Sequence, residues 1–184
     1  LNTHLAELNE IIPDFAAGEV TVLAAGPGQG KSAMMLNLME HMADNGKMGV
    51  LYSLEMSPMS LVERLIYRAV RISRRYFKKF TFNDDAHKAE MWAECDAIFN
   101  QYATGERFEV DCRGGISANY IVSKTKALIK QKGIKYIVID YLQIMDVQDS
   151  FNLAAEIDKA CIKIARLAKE TGIHIFLLSQ LNRT

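Results

Sequence analysis

Lys31 and Ser32 close the stretch AAGPGQGKS (Ala24–Ser32), in which Gly26, Gly28 and Gly30 alternate with other residues. Glycines at that density let a backbone turn its N–H groups inward on an anion. A lysine followed by a hydroxyl adds a cation and a hard oxygen. The phosphate-cradling pattern G-x-x-x-x-G-K-[ST] fits from Gly30 onward, but its first glycine falls on Ala25. On that pattern Ala25, Gly26, Pro27, Gly28, Gln29, Gly30, Lys31 and Ser32 hold a nucleotide. Lys31 reaches the β and γ phosphates, and the Ser32 hydroxyl goes to Mg2+. The competing reading is a tight strand-to-helix turn with a solvated lysine.

Three more residues are of types that handle phosphates, and each closes an apolar run. Asp140 ends YIVID. A carboxylate at the C-terminal end of a buried parallel strand stands where ligands of open α/β sheets bind, and it can hold Mg2+ there. Glu55 ends VLYSLE. It can orient and deprotonate the water that attacks a γ phosphate. Just ahead of Ser57 and Pro58, it can equally serve a helix dipole, and spacing alone does not choose. Gln180 follows IFLLS. Its amide can sense a γ phosphate, or simply mark a polar strand exit.

Bringing these groups together takes strands whose C-terminal ends share an edge. EVTVLAAG (Glu19–Gly26) is apolar and β-branched, a buried strand running into the glycine turn. KSAMMLNLMEHMADNG then has apolar residues at helical spacing and a stop at Gly46. MGVLYSL (Met48–Leu54) is a second strand. Ser57 caps the next helix and Pro58 opens it. A long polar helix covers Asp85–Tyr102. RFEVD is a short strand, SANYIVSKTKALIKQKG a helix ending at Gly133, and KYIVID (Lys135–Asp140) a strongly apolar strand. The polar loop DVQDSFN leads to the helix LAAEIDKACIKIARLAKETG, and IHIFLLS (Ile173–Ser179) is the last strand. This alternation predicts parallel pairing in an α/β layered domain, a mostly parallel sheet with helices on both faces.

Composition narrows the partners. The chain has 184 residues, 49% of them hydrophobic and 24% charged, the balance of a folded domain with a sizeable core. Lys+Arg and Asp+Glu stand at 22 each, so a basic coat for nucleic acid is excluded but a local groove is not. No apolar run approaches the roughly 20 residues of a membrane span, and LNTHLAELNE is no signal peptide. Cys95, Cys112 and Cys161 are odd in number and lack C-x-x-C spacing, which fits reduced thiols in a cytosolic protein. The four histidines have no metal-ligand spacing.

AAGPGQGKS, YSLEMS, VIDYLQIM and LLSQLNR occur in this order and at these spacings in the motor domain of DnaB-type hexameric replicative helicases, which the chain resembles from about Leu8 to Arg183. That family's loop commonly begins with Ala, so Ala25 looks like a family variant. The resemblance implies a RecA-like P-loop NTPase fold and an ATPase core over residues 1–184. It implies ATP or another nucleoside triphosphate with Mg2+ as cofactors. Residue by residue, Lys31 and Ser32 match the nucleotide and Mg2+ positions, Glu55 the catalytic glutamate, Asp140 the second Mg2+ carboxylate and Gln180 the γ-phosphate sensor. The implied fold sets the sensor strand between those bearing Lys31 and Asp140. The implied partners are single-stranded DNA, copies of the chain itself in a ring hexamer of the full-length protein, and a primase or helicase loader. No membrane is implied, and the location is the cytoplasm of a bacterial or phage-infected cell.

The chain also departs from the pattern. IIPDFAAGE replaces the glycine pair before the first strand, and nothing matches the family's N-terminal helical domain. The chain starts without Met and stops after SQLNRT, before the family's DNA-gripping loop and basic finger, as expected of a fragment whose domain lacks its C-terminal end. Arg68–Lys79 (RAVRISRRYFKK) interleaves cations with Tyr76 and Phe77. It reads as a solvated helix end or as a nucleic-acid contact. Two other functions compete with a helicase motor: a recombinase-type RecA relative, and a non-hydrolysing nucleotide-binding interaction module.

Overall fold

Parallel strands cannot be joined by hairpins, so each apolar strand must be followed by a crossover. The computed structural model describes residues 1, 3, 5–12, 14–69, 85–140 and 153–181. A short helix, α1 (Ala6–Ile11), precedes β1 (Val20–Ala25) and α2 (Lys31–Asp44). There follow β2 (Gly49–Ser53), α3 (Pro58–Ala69), α4 (Asp85–Ala103), β3 (Glu109–Asp111), α5 (Ala118–Lys132), β4 (Tyr136–Asp140), α6 (Leu153–Thr171) and β5 (His174–Gln180). The strands form one sheet in the order β1-β5-β4-β2-β3, and every pair is parallel. The sheet therefore sets β5 between the strand that feeds the glycine loop and the strand that ends in Asp140.

Two compact units divide the chain. One comprises Leu1–Glu55 with Arg107–Thr184, and the other Met56–Glu106. In the first, strand alternation sorts side chains to two faces. Ile137 and Ile139 join Val50, Tyr52, Ile175 and Leu177 against Ile121 and Leu128 of α5 and Ile164 and Leu167 of α6. The opposite parity of β4 faces α2: the Tyr136 hydroxyl donates to the Met39 carbonyl at 3.4 Å. Gly49 lies opposite Tyr136 in the register. A Cβ there would penetrate the Tyr136 ring, so this position requires glycine. Each large side chain fully buried in such layers contributes about 1.5–3 kcal/mol.

In the second unit α3 and α4 pack on each other, with Leu61, Leu65 and Cys95 buried. The Ser57 hydroxyl accepts from the Ser60 N–H at 3.2 Å, the cap expected ahead of Pro58. One strand departs from expectation. Among the described strands β1 stands at the margin of the sheet, and Val22 is 58% exposed. Its apolar composition made it look fully buried, because a sequence shows a strand's affinity for a sheet but not its place in the order. α1 was not anticipated.

Among the described residues, no helix is long and apolar enough to cross a membrane. Most of the basic run Arg68–Lys79 and the whole of DVQDSFN lie outside the described residues.

Candidate nucleotide site

β1 ends at Ala25, which is still extended and paired with Gln180 of β5. A methyl group costs nothing in an extended strand, which accounts for alanine where the loop pattern has glycine. The two positions that do need glycine come later. Gly28 and Gly30 have φ of 74° and 88°, a region closed to most side chains. A Cβ on either would meet nothing within 4 Å, so the conformation and not crowding demands glycine. Gly30 stands at the N-cap of α2 in the left-handed conformation, and no side-chain hydrogen bond caps that helix. The helix thus begins with N–H groups and a positive dipole end facing the loop, the arrangement that binds phosphate.

The loop is shaped by two contacts that sequence reasoning did not foresee. The Gly26 N–H donates to Gln29 Oε1 at 2.7 Å, and the Gln29 N–H returns to the Gly26 carbonyl at 3.4 Å. A Cβ on Gly26 would sit 3.2 Å from that same Gln29 oxygen. The Ala25 carbonyl accepts twice, from Lys31 Nζ at 3.1 Å and from the Leu181 N–H at 3.1 Å. One backbone oxygen therefore anchors the lysine and ties down the exit of β5. No sequence signal marks the contacts at Ala25, since a backbone acceptor carries no residue type.

The register brings the remaining candidates to the same edge. Ser53 of β2 pairs with Asp140 of β4, and the Leu54 N–H donates to the Asp140 carbonyl at 2.7 Å. Glu55 follows directly, exposed at the C-terminal edge. Ser57, not Glu55, supplies the cap of α3. Glu55 lies ahead of that cap, outside the first turn where a helix dipole acts. Gln180 is half-buried at the end of β5, beside Ala25.

The link that closes the site crosses the sheet. Ser32 Oγ, on the first turn of α2, donates to Asp140 Oδ2 at 2.6 Å, and Asp140 is 3% exposed. The pair joins a hydroxyl and a carboxylate at the foot of the glycine loop. Both are hard oxygen donors, the set that Mg2+ takes when it keeps most of its coordination for water and phosphate. Among the described residues no cluster of three or more His, Cys, Asp and Glu side chains forms a separate metal site. The structure thus gathers Lys31, Ser32, Glu55, Asp140 and Gln180 at one edge of the sheet.

Comparison with known proteins gives the same direction. Over its full length the chain is 28% identical to the replicative DNA helicase DnaB of Buchnera aphidicola subsp. Baizongia pistaciae, covering 39% of that protein. It is 27% identical to the protein of the same name from subsp. Schizaphis graminum, again covering 39%. The chain therefore spans well under half the length of these curated relatives. A solved ATPase domain superposes with a TM-score of 0.82 at 26% identity, over 96% of this chain and 62% of that one. A DnaB-like replicative helicase solved for its interactions with primase gives 0.83 at 26% identity, over 99% of this chain and 44% of that one. The model of the DnaB-like helicase C-terminal domain matches residues 1–184. A RecA-like parallel sheet, a glycine loop at its edge and a family match over the whole chain meet in one conclusion: this chain belongs to the DnaB-like helicase C-terminal domain family.

Proposed function

We propose that this chain is the ATP-hydrolysing motor core of a replicative DNA helicase. The observation that carries the reading is the 2.6 Å contact between Ser32 and Asp140, two residues far apart in sequence and joined at the foot of the glycine loop. A solvated turn has no reason to seat a buried strand-end carboxylate on the second residue of the helix it feeds. In this reading Ala25–Ser32 wraps the phosphates and Lys31 leaves the Ala25 carbonyl for the β and γ phosphates. Ser32 and Asp140 would hold Mg2+, which when bound neutralises phosphate charge as the γ group departs. Glu55 orients a water in line with the γ phosphorus and accepts its proton. Gln180 hydrogen-bonds the γ phosphate, and its strand neighbour Ala25 carries the change to the loop.

The track would be single-stranded DNA, and the working form a ring of copies of the full-length protein, with primase as a companion of that ring. Two measurements on this chain test the core of the reading. Wild type should bind Mg-ATP with saturable heat in calorimetric titration and release phosphate slowly. Glu55→Gln should keep the binding and lose about 10²–10⁴-fold in turnover, because the amide keeps the shape but is no base. A chain that binds ATP and releases no phosphate would instead be a nucleotide-binding module, whereas equal turnover in wild type and Glu55→Gln would remove Glu55 from the role of base.

A further inference from the structure

Asp111 ends β3, the strand at the opposite margin of the sheet from β1. Four strand spacings, roughly 19 Å, separate the two along the C-terminal edge. The Asp111 side chain is 2% exposed and accepts from three side chains. Tyr120 Oη and Lys124 Nζ donate to Oδ2 at 2.9 and 2.8 Å. Arg113 clasps the carboxylate sideways, Nε to Oδ1 at 3.0 Å and Nη2 to Oδ2 at 2.8 Å, and its backbone N–H adds a bond to Oδ1 at 3.1 Å. Its guanidinium lies over the Tyr120 ring, with Cζ 4.6 Å from the centroid.

Two features go beyond what neutralising one carboxylate requires. Lys124 already supplies the counter-charge, so the cluster of Asp111, Lys124 and Arg113 is left with one positive charge. Arg113 is also spent on one edge only. The sideways clasp leaves the two N–H groups of Nη1 and one of Nη2, the Tyr120 ring lies beside the guanidinium, and the side chain is 61% exposed. Beside it, Gly114 and Gly115 present bare backbone, and a Cβ on either would meet nothing within 4 Å. A planar cation held by a carboxylate and an aromatic ring, largely exposed and with three N–H groups not used in the clasp, is matched to a nucleotide: the base stacks on the plane and the phosphate takes the N–H groups.

We propose that Arg113, held by Asp111 and Tyr120, is a nucleotide-stacking and phosphate-binding platform for single-stranded DNA, separate from the ATP site. An acidic peptide would satisfy the charge but not the exposed guanidinium plane. The proposal rests on the reading of the chain as part of a DNA-acting motor. Fluorescence anisotropy with labelled (dT)20 at about 50 mM salt tests it on the whole chain, each variant first checked by a thermal melt. Arg113→Ala should weaken binding about tenfold and lower the salt slope by about one. Arg113→Lys should keep the salt slope and recover only part of the affinity. Lys126→Ala, in an exposed pair with Glu170, should stay within about twofold of wild type. An abasic oligomer should bind less tightly than (dT)20. Wild-type binding that Arg113→Ala leaves unchanged overturns the platform while the motor reading stands on its nucleotide tests. Equal binding of abasic and (dT)20 strands, stronger competition by polyglutamate than by (dT)20, or no wild-type binding also overturns it.

Discussion

Lys31 is a residue whose removal should separate binding from folding. Its ammonium is half-buried and makes a single described hydrogen bond, to the Ala25 carbonyl, so Lys31→Ala costs the fold about 1 kcal/mol. Toward a nucleotide the same ammonium is the loop's only cation, and charge-assisted bonds to phosphate are worth more than neutral ones. Titration of Lys31→Ala with Mg-ATP should show affinity reduced by about 100-fold or more, in a protein whose melting point is within a few degrees of wild type. Unchanged affinity in the folded variant would return the loop to the solvated-turn reading. At this scale the sequence was most legible where a residue type is itself the chemistry: Lys31, Ser32 and Asp140 announce a cation, a hydroxyl and a carboxylate. It was least legible where the acting atom is backbone, as in the double acceptor at Ala25, or where a side chain serves its own loop, as Gln29 does. Arg113 was unreadable for a related reason, since its meaning depends on a buried Asp111 and on the Tyr120 ring in the first turn of α5.

The elements were legible because each carries its own period and punctuation. Gly133 ends α5 in the left-handed conformation, and Ser117 caps its start by accepting from the Tyr120 N–H at 3.3 Å. The pairing order was not written there, because it depends on contacts between distant segments; the family resemblance alone placed β5 in the middle. The start of β5 shows such a contact. His174 is buried, with Nδ1 2.7 Å from the Ala16 carbonyl and Nε2 3.0 Å from Thr21 Oγ1. A carbonyl only accepts, so Nδ1 carries the proton, and the neutral ring takes the Thr21 hydroxyl on Nε2. Burial pushes the His174 pKa down, against the pull of the Ala16 carbonyl and Glu19. The folded ring thus stays neutral below the ordinary histidine value of about 6.5, and the stability it supports is whole above that value and drains as pH falls beneath it. Asp111 acts lower: burial opposes its ionisation, but the bonds from Lys124 and Arg113 prevail and hold its pKa below the carboxylate norm. Its contribution is present above about pH 4 and is lost in stronger acid. Urea midpoints should therefore fall between pH 7 and pH 5 in wild type, and His174→Gln should flatten that interval while leaving the loss below pH 4. An equal pH slope in the variant would show that other groups carry it.

At the scale of the molecule, every candidate nucleotide residue falls in one unit. Ala25–Ser32, Glu55, Asp140 and Gln180 all belong to Leu1–Glu55 with Arg107–Thr184, and none to Met56–Glu106. Binding energy delivered there stabilises what it touches. A ligand at 100 times its dissociation constant adds about 2.7 kcal/mol to the folded state. For a chain of this size each kcal/mol raises the melting point by about 2–4 °C, so saturating Mg-ATP should lift the transition by about 5–10 °C. Lys31→Ala should abolish the shift. Asp140→Asn should retain it only at raised Mg2+, because the amide keeps an oxygen for Ser32 but loses the charge that faces the cation. Hydrogen exchange resolved by peptide should then locate the gain. Protection should rise around residues 25–32, 53–55, 136–140 and 177–181, where the strand ends meet the loop, and stay unchanged over α4. A nucleotide-dependent gain centred on α4, or a thermal shift that survives Lys31→Ala, would mean that ATP binds this chain elsewhere and that the convergence at the sheet edge serves only the fold.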